Sequence, residues 1–145
     1  MNIVVSHITG KRGVFSTNSG LLIAYVSGIE DGKVNSACRV TDDDLTRVRN
    51  VCLKNQSSPH HGIDILLTST WPADVTKHDD NAVCIIIPDH RVHYRGKHIQ
   101  TYPPLLQVPN PPAGSSTISK LAYDIRPRYH FFGLEKRYYE RRPYK

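Results

Sequence analysis

The chain has no long apolar run and only three cysteines, and each shortage excludes a class of protein. No stretch approaches the roughly 18 consecutive apolar residues of a membrane-spanning helix, so we expect no integral membrane segment. The start of the chain lacks a basic stretch followed by an apolar run, so we expect no secretory signal either. Cys38, Cys52 and Cys84 form no C-x-x-C pair, which argues against a disulfide framework and a structural zinc site and predicts free, mostly buried thiols.

The sequence also lacks the loops that hold nucleotides or activate a serine. Neither G-x-x-x-x-G-K-[ST] nor G-x-G-x-x-G occurs, so we expect no glycine-rich phosphate loop. Ser69 follows an apolar run, but it has no flanking glycines of the kind that form a nucleophile elbow. We therefore expect no catalytic serine at this position.

Positive charge is concentrated at the end of the chain. The formal net charge is +6 at pH 7, and residues 126–145 hold seven Lys or Arg against two Glu, a balance of +5. The first 125 residues therefore contribute only +1. This distribution permits an acidic partner such as nucleic acid but does not require one.

Two apolar runs near the beginning predict a β-hairpin. Residues 14–16 and 21–26 are rich in β-prone side chains, and residues 17–20 between them include Asn and Gly. Short linkers of this composition are typical of hairpin turns. Because the second run is apolar on both faces, we expect it to lie in the interior of a sheet that is covered by other layers.

Residues 41–54 give the clearest helix prediction. Leu45, Val48 and Cys52 follow one another at i, i+3 and i+7 and form one apolar stripe. Thr41 can cap the N-terminus, and the acidic residues 42–44 lie where the helix dipole favours negative charge. Three consecutive side chains on a first turn point in different directions, so we interpret them as capping residues and not as a metal site.

The rest of the sequence contains segments with a clear secondary-structure pattern and one long segment without such a pattern. Residues 63–68 form a continuous apolar run after a helix and predict a buried strand in an α/β layer. Residues 73–116 lose periodicity and are proline-containing, which predicts an irregular insertion or linker. Order resumes with a short helix over residues 118–125 and a strand over residues 129–132.

Five histidines raise the question of a metal site. His90, His93 and His98 are spaced closely enough to approach one ion, but their basic neighbours and an adjacent proline disfavour both a cation and a helix. The pair His60 and His61 lies in a loop sequence without a nearby acidic residue. We interpret both groups as solvated loop residues.

The last segment alternates basic and aromatic residues, a pattern typical of single-stranded RNA surfaces. Cations pair with phosphates while rings stack on unpaired bases. Equally, Tyr129, Phe131 and Phe132 fit a core position with the charges as a solvated rim, and the residues alone leave both interpretations open. The candidate RNA- or partner-binding residues are Arg126, Arg128, His130, Lys136, Arg137, Tyr138, Tyr139, Arg141 and Arg142.

Three stretches carry a resemblance to a known family. GIDILLTSTWP (residues 62–72) and IRPRYHFFGLEKRYYERRPYK (residues 125–145) resemble the CwfJ, or Cwf-nineteen-like, family of spliceosome-associated proteins, and within it the protein-one branch. GKRGVFSTNSGLLIAYVSG (residues 10–28) is similar to the same family in the same order. With the intervening helix, the resemblance covers about two thirds of the chain.

The resemblance implies an α/β (α+β) fold: part of a calcineurin-like metallophosphoesterase β-sandwich flanked by helices, related to the lariat debranching enzyme. In active relatives a His follows the strand at residues 64–68, and a His-x-His pair follows the strand that ends near Phe132. Here those places hold residues 69–71 and 133–136, which include no histidine, and Lys136 would repel a cation. We therefore expect no metal ligand, no cofactor and no catalytic residue.

The resemblance also implies a function. We expect a nuclear, non-catalytic protein, not bound to membrane, that binds spliceosomal proteins and the lariat debranching enzyme and promotes lariat debranching in the post-splicing complex. Intron-lariat RNA is a further candidate partner. Two alternatives stay open: a metal-dependent RNA phosphodiesterase in a full-length relative, and a non-functional truncated isoform.

Finally, the resemblance divides the chain into three segments. Residues 1–72 are the first part of the phosphoesterase-like domain, residues 73–116 an irregular proline-containing insertion, and residues 117–145 the basic and aromatic last part. We recognise no counterpart in the family for residues about 82–113, which an inserted exon or a retained non-coding stretch would explain. The family's leading strands and later domains have no counterpart here, so we expect the chain alone to fold poorly or to depend on a partner.

Overall fold

A mixed four-stranded sheet and two helices organise the part of the chain that the computed structural model describes. The described residues are 10–30, 37–55, 62–77, 84–86, 107–108, 113–134 and 137–140. This architecture confirms the predicted α/β class. In chain order the elements are β1 (Arg12–Ser16), β2 (Leu22–Val26), α1 (Asp42–Asn55), β3 (Ile65–Thr68), β4 (Cys84–Ile86), β5 (Gln107–Val108), α2 (Ser116–Ile125), β6 (Tyr129–Phe132) and β7 (Arg137–Tyr138).

The predicted hairpin is present. Strands β1 and β2 pair antiparallel, with Val14 opposite Ala24. Strand β1 begins at Arg12, earlier than the apolar run suggested, because the backbone of Arg12 and Gly13 still pairs with β2. The turn is closed by the Gly20 amide, which donates to the Thr17 carbonyl at 2.9 Å.

The sheet order explains the composition of β2. The order is β1-β2-β3-β6, and both the β2–β3 and β3–β6 pairs are parallel. Strand β2 is therefore flanked by strands on both sides, as its apolar residues on both faces predict. Because β2, β3 and β6 run in the same direction, all three end at the same edge of the sheet.

Both helices cover one face of this sheet. The predicted stripe of α1 is buried and shares one core with buried residues of α2 and with alternate residues of β2 and β3. The Arg49 guanidinium joins the helices through an ion pair with Asp124, N to O 2.6 Å. The core consists of Ala24, Val26, Val40, Leu45, Val48, Cys52, Ile63, Leu66, Ile118, Leu121 and Ile125.

Helix α2 has clear signals at both ends. The Ser115 hydroxyl accepts a hydrogen bond from the Ile118 amide at 3.0 Å, which is an N-cap. Arg126 follows the helix in the left-handed conformation, φ 49°, and its amide donates to the Ala122 carbonyl. The helix begins at Ser116, two residues before the predicted start at 118.

The segment predicted to be irregular, residues 73–116, contains two short strands in the structure. Strand β4 pairs antiparallel with β5 and also with β7, so these three form a second sheet. The division into residues 1–72, 73–116 and 117–145 stays a prediction. His60, His61, His90, His93 and His98 lie outside the described residues.

The cysteines differ from the expectation of mostly buried thiols. Cys52 is buried in the core, and this burial raises the pKa of its thiol to about 11, so the thiol stays protonated at neutral pH. Cys38, in contrast, is exposed. None of the described helices is both long and apolar enough to cross a membrane.

Candidate functional site

The edge at which the three parallel strands end is the first place to look for a site. Ligands of open α/β sheets bind outside the carboxyl ends of parallel strands. In this chain that edge, called here the strand-end edge, consists of Ser27 and Gly28 after β2, Ser69 and Thr70 after β3, and Gly133 after β6. The chemistry available there is that of hydroxyl groups and backbone amides.

These hydroxyl groups are used within the fold. The Gly28 amide donates to Ser69 Oγ at 3.2 Å, and Thr70 Oγ1 donates to the Gly28 carbonyl at 3.2 Å. The Ser69 amide also donates to the Val26 carbonyl at 3.1 Å. These bonds tie the segment after β2 to the segment after β3, so the hydroxyls stabilise the edge of the sheet.

A carboxylate from the segment after β2 lies at the N-terminus of α2 and accepts hydrogen bonds there. Glu30 Oε1 accepts a hydrogen bond from Ser115 Oγ at 2.6 Å and another from Thr117 Oγ1. A negative charge is favoured at this end of a helix by the helix dipole. No local pattern in the sequence marks Glu30, because its partners lie more than 80 positions away.

An open groove of about 530 Å³ lies beside this contact, at the N-terminus of α1. Its charged lining residues are Glu30, Asp42 and Asp43 against Arg39. A predominance of carboxylates repels phosphate, so the groove is a poor place for nucleic acid. The full lining is Glu30, Arg39, Val40, Thr41, Asp42, Asp43, Leu45 and Thr117.

Asp44 is the most deeply buried carboxylate that the structure describes, with 4% of its surface exposed. Its Oδ2 accepts hydrogen bonds from the Thr41 amide at 3.0 Å and from Thr41 Oγ1 at 2.9 Å, and the Asp44 amide donates back to Thr41 Oγ1. Lys11 Nζ lies 3.3 Å from Oδ2, and Arg12 pairs with Oδ1. Burial acts to raise the pKa of Asp44, but the Thr41 and Lys11 bonds and the Arg12 charge outweigh it and lower the pKa.

His130, a predicted contact residue, faces the helix side of the sheet. Its Nε2 lies 2.8 Å from Thr68 Oγ1, and the Thr68 hydroxyl donates its only proton to the Thr70 carbonyl at 2.9 Å. Nε2 must therefore carry the hydrogen of that bond. Burial lowers the pKa of His130 to about 4, so the ring is neutral at physiological pH. A neutral, inward-facing ring is unsuited to a phosphate contact.

The buried imidazole predicts a pH dependence of stability. Its pKa falls from 6.5 to about 4 on folding, so the unfolded chain binds more protons between these values. The free energy of unfolding should therefore fall as pH is lowered from 6.5 to 4, by up to roughly 3 kcal/mol from this group. Urea titrations at several pH values measure the slope.

A His130→Gln variant is the control for this slope. Glutamine keeps a donor for Thr68 but does not titrate, so the stability of the variant should depend less on pH over the same range. An unchanged slope in the variant would show that another group is responsible. Asp44 does not interfere, because its lowered pKa confines its own loss of stabilisation to more acidic solutions.

The remaining predicted contact residues are not brought together. Arg126 and Arg128 are exposed where β6 begins, at the edge opposite the strand-end edge. Arg128 pairs weakly with Asp64, N to O 3.5 Å. Tyr139 lies instead beside Trp71, just after β3, with ring centroids 6.4 Å apart. The described residues do not include Lys136, Arg141 and Arg142. Nothing is described of the side chains of Arg137 and Tyr138.

An aromatic cluster closes the end of β3. Trp71 is 1% exposed and packs edge-on against Phe132, with ring centroids 4.8 Å apart. The His130 ring also lies edge-on to Phe132, with ring centroids 5.3 Å apart. Trp71 Nε1 is a buried donor that has no acceptor among the residues that the structure describes. Of the three rings weighed as core, Phe132 alone is half-buried, and it packs against Trp71 outside the core cluster.

The other two rings lie on the open face of the sheet. Tyr129 is 60% exposed and Phe131 is 58% exposed, and Leu67, opposite Phe131 on the neighbouring strand, is 38% exposed. Because side chains alternate along a strand, this face lies opposite the helices. These three residues are called here the β6 strip (Leu67, Tyr129 and Phe131). The sequence alone did not decide whether these two rings are core or surface residues.

The strand-end edge does not fit the metal centre that the phosphoesterase resemblance implies for active relatives. Such a centre needs several convergent nitrogen and oxygen ligands. Ser69 and Thr70 follow β3 with their hydroxyls engaged, and Gly133 and Leu134 follow β6. Over the ranges that the structure describes, no three His, Cys, Asp or Glu side chains are placed to hold an ion.

Comparison with known proteins finds several relatives that carry the same name. The chain is 36% identical to CWF19-like protein 1 of Xenopus laevis over 94% of its own length and 21% of that protein's. It is 36% identical to the CWF19-like protein 1 homolog of Caenorhabditis elegans, over 94% and 20%, and 34% identical to CWF19-like protein 1 of Mus musculus, over 94% and 21%. The chain thus spans about a fifth of the length of the curated relatives it matches. No protein-family model matches it.

Proposed function

This chain belongs to the CWF19-like family, and from this membership we propose that it is a non-catalytic part of a nuclear, splicing-related protein. At the level of the family, the CWF19-like name fits a splicing-related protein of the nucleus. The finer proposal is that it binds spliceosomal proteins and the lariat debranching enzyme and promotes the debranching of intron lariats. Intron-lariat RNA is a second class of partner within the same proposal.

The proposed fold is one layer of a phosphoesterase-like sandwich. The described sheet has helices on one face and an open apolar face on the other, and an open face of this kind favours a second layer. Partner binding, not chemistry, is then the function that this layer supports.

One observation carries the non-catalytic proposal: hydroxyls, not imidazoles, follow β3, and these hydroxyls are already bonded. Ser69 and Thr70 hold the segment after β2 through Gly28. Activating water for attack on phosphorus needs bound ions or a positioned base. His130, the nearest imidazole along β6, is turned toward Thr68 and has a pKa lowered to about 4 by burial.

For RNA, the arginines at the start of β6 are the best-placed contacts among the described residues. Arg126 and Arg128 are exposed at an edge away from the acidic groove. Cations at such positions engage phosphate oxygens without reading sequence. The predicted basic residues beyond β6 add charge in the same region of the sequence.

One experiment tests both parts of the proposal. The 145-residue chain is incubated with a fluorescent branched RNA and manganese, and cleavage and polarisation are read in the same samples. We expect no cleavage, and binding whose log K falls with log salt by about 0.7 for each phosphate neutralised. Arg126→Glu together with Arg128→Glu should weaken binding, whereas Arg47→Glu, an exposed arginine on α1, should not.

The alternatives are outcomes of the same experiment. Cleavage that requires manganese and stops with a chelator would favour a metal-dependent phosphodiesterase and contradict the non-catalytic proposal. Absent or salt-independent binding would remove RNA and leave protein partners. If, in addition, the chain captures neither the debranching enzyme nor spliceosomal proteins, the truncated, non-functional isoform is the better explanation.

A further inference from the structure

The outer face of α2 carries an aromatic ring between two cations. Lys120, Tyr123 and Arg126 follow one another at intervals of three residues, and all three are exposed. The buried residues of this helix lie on its other side, against the core. Residues three apart on a helix are neighbours, so Lys120 adjoins the ring, and Arg126 follows at the C-cap. These residues are called here the α2 stripe (Lys120, Tyr123 and Arg126).

Tyr123 is the most exposed large apolar side chain that the structure describes, at 77%. None of the ring pairs within the described ranges includes it. Single exposed apolar residues are common on proteins, so exposure alone assigns no function to this ring. Its cationic neighbours distinguish it, because a ring beside positive charge can receive both a nucleic-acid base and the adjoining phosphates.

The positive charge of the α2 stripe is not neutralised by the described residues. Lys120 and Arg126 belong to none of the ion pairs among them. Asp124 is the one carboxylate on α2, and Arg49 of α1 pairs with it, N to O 2.6 Å. Arg128, two residues after the stripe, is also exposed and extends the positive surface. An anionic chain that binds here therefore meets unpaired cations and no unpaired carboxylate of this helix.

We propose that the α2 stripe binds single-stranded RNA, with one base stacked on Tyr123 and the flanking phosphates held by Lys120 and Arg126. Every base has a face that can stack on an aromatic ring, so this site tolerates any sequence. The inference rests on the RNA part of the proposed function and deepens it. It adds Tyr123 and Lys120, which are not among the contact residues predicted from the sequence.

The composition of this surface favours RNA over a protein partner. Tyr123 is the only large apolar side chain exposed on α2, and its neighbours on the outer face are Ser116 and Lys120. Serine and lysine are depleted in protein interfaces. The ring therefore lacks the surrounding contacts that exclude water from the centre of a protein interface. A base needs only the face of the ring, and its phosphates need only the cations.

The test is fluorescence polarisation of a labelled oligouridylate with the 145-residue chain and its variants. Tyr123→Ala should weaken binding about tenfold, the factor that corresponds to about 1.4 kcal/mol of base stacking. Tyr123→Phe should bind as the unaltered chain does, because it keeps the ring. Lys120→Gln should reduce the fall of log K with log salt by about 0.7, the share of one phosphate of a single strand.

Three controls locate the contact on α2. Phe131→Thr removes an exposed ring from the opposite face of the sheet and keeps a side chain suited to a strand, so it should leave the affinity unchanged. Arg47→Gln removes an exposed cation of α1 that pairs with Asp43, so it should leave the salt dependence unchanged. An abasic strand of the same length keeps the phosphates without the bases, so Tyr123→Ala should not alter its binding. Circular dichroism verifies that each variant is folded.

Four results would overturn the inference. They are unchanged oligouridylate binding by Tyr123→Ala, an equal loss in Phe131→Thr, an equal loss by Tyr123→Ala with the abasic strand, and no RNA binding at all. If Tyr123→Ala binds normally while the double variant of Arg126 and Arg128 does not, the RNA part of the proposed function stands without the α2 stripe. The absence of RNA binding removes both and leaves protein partners, and the cleavage assay tests the non-catalytic proposal separately.

Discussion

Replacing Asp44 with alanine is expected to lower the free energy of unfolding by about 3 kcal/mol. The carboxylate is 4% exposed and joins two elements: it caps α1 through Thr41, and it pairs with Lys11 just before β1 and with Arg12, the first residue of β1. Its removal leaves both cations without their counter-ion and the helix without half of its capping arrangement. The side chains of Lys11 and Arg12 are 30% and 26% exposed. Hydration of these cations therefore keeps the expected loss at the lower end of the range for breaking a buried ion pair.

The matched control for this prediction is Asp43→Ala. Asp43 occupies the same first turn, but its side chain is 65% exposed and pairs with an exposed Arg47. Exposed pairs of this kind contribute about 0.5 kcal/mol or less. Urea unfolding followed by circular dichroism compares the two variants directly. Equal losses would show that Asp44 acts only through the helix dipole and not through its buried contacts.

Replacing Gly28 with alanine is expected to cost about 3 kcal/mol or more of unfolding free energy. Its φ is +134°, a backbone conformation that side chains other than glycine rarely adopt. An added Cβ would overlap the Cys38 carbonyl oxygen and lie 2.9 Å from Val40 Cγ2. The same residue donates to Ser69 and accepts from Thr70, so its displacement also opens the strand-end edge.

Gly20→Ala separates backbone strain from this overlap. Gly20 also has a positive φ, +85°, but no atom lies within 4 Å of the position of its Cβ. Its replacement should cost only about 1 kcal/mol. Thermal unfolding of the two variants measures the difference. A Gly28 variant no less stable than the Gly20 variant would mean that the contact with Cys38 and Val40 does not constrain the fold.

The strand-end edge and the β6 strip differ in how their described side chains are partnered. At the strand-end edge, polar side chains satisfy one another and link the segments after β2 and β3. At the β6 strip, apolar side chains and a strand edge are left without a partner within the described ranges. In the proposed function the strand-end edge holds the layer together.

Local patterns in the sequence predicted the elements well. The apolar stripe of Leu45, Val48 and Cys52 predicted α1 and its buried face, because helical spacing alone brings these residues together. The cap by Thr41 followed from its position before three acidic residues. The hairpin and the interior position of β2 followed from the Asn- and Gly-containing linker and from apolar residues on both faces.

The candidate site was harder to predict, because its residues are far apart in sequence. Arg126, Arg128 and His130 are neighbours along the chain, which suggested one surface, but alternation along β6 turns His130 inward to Thr68. Tyr139 comes to lie beside Trp71 at the opposite edge. The interpretation as solvated loop residues stays a prediction for His60, His61, His90, His93 and His98.

The sequence by itself thus determined where the helices and main strands lie, which helix face is apolar, and the family to which the chain is similar. These features depend on neighbours within one or two turns and on motif identity. Only the tertiary structure decided that Asp44 meets Lys11 and Arg12, that Glu30 meets Ser115 at the start of α2, and that Tyr129 and Phe131 remain exposed. These features depend on the order in which strands pair and on the face that the helices cover, and both are set by long-range packing.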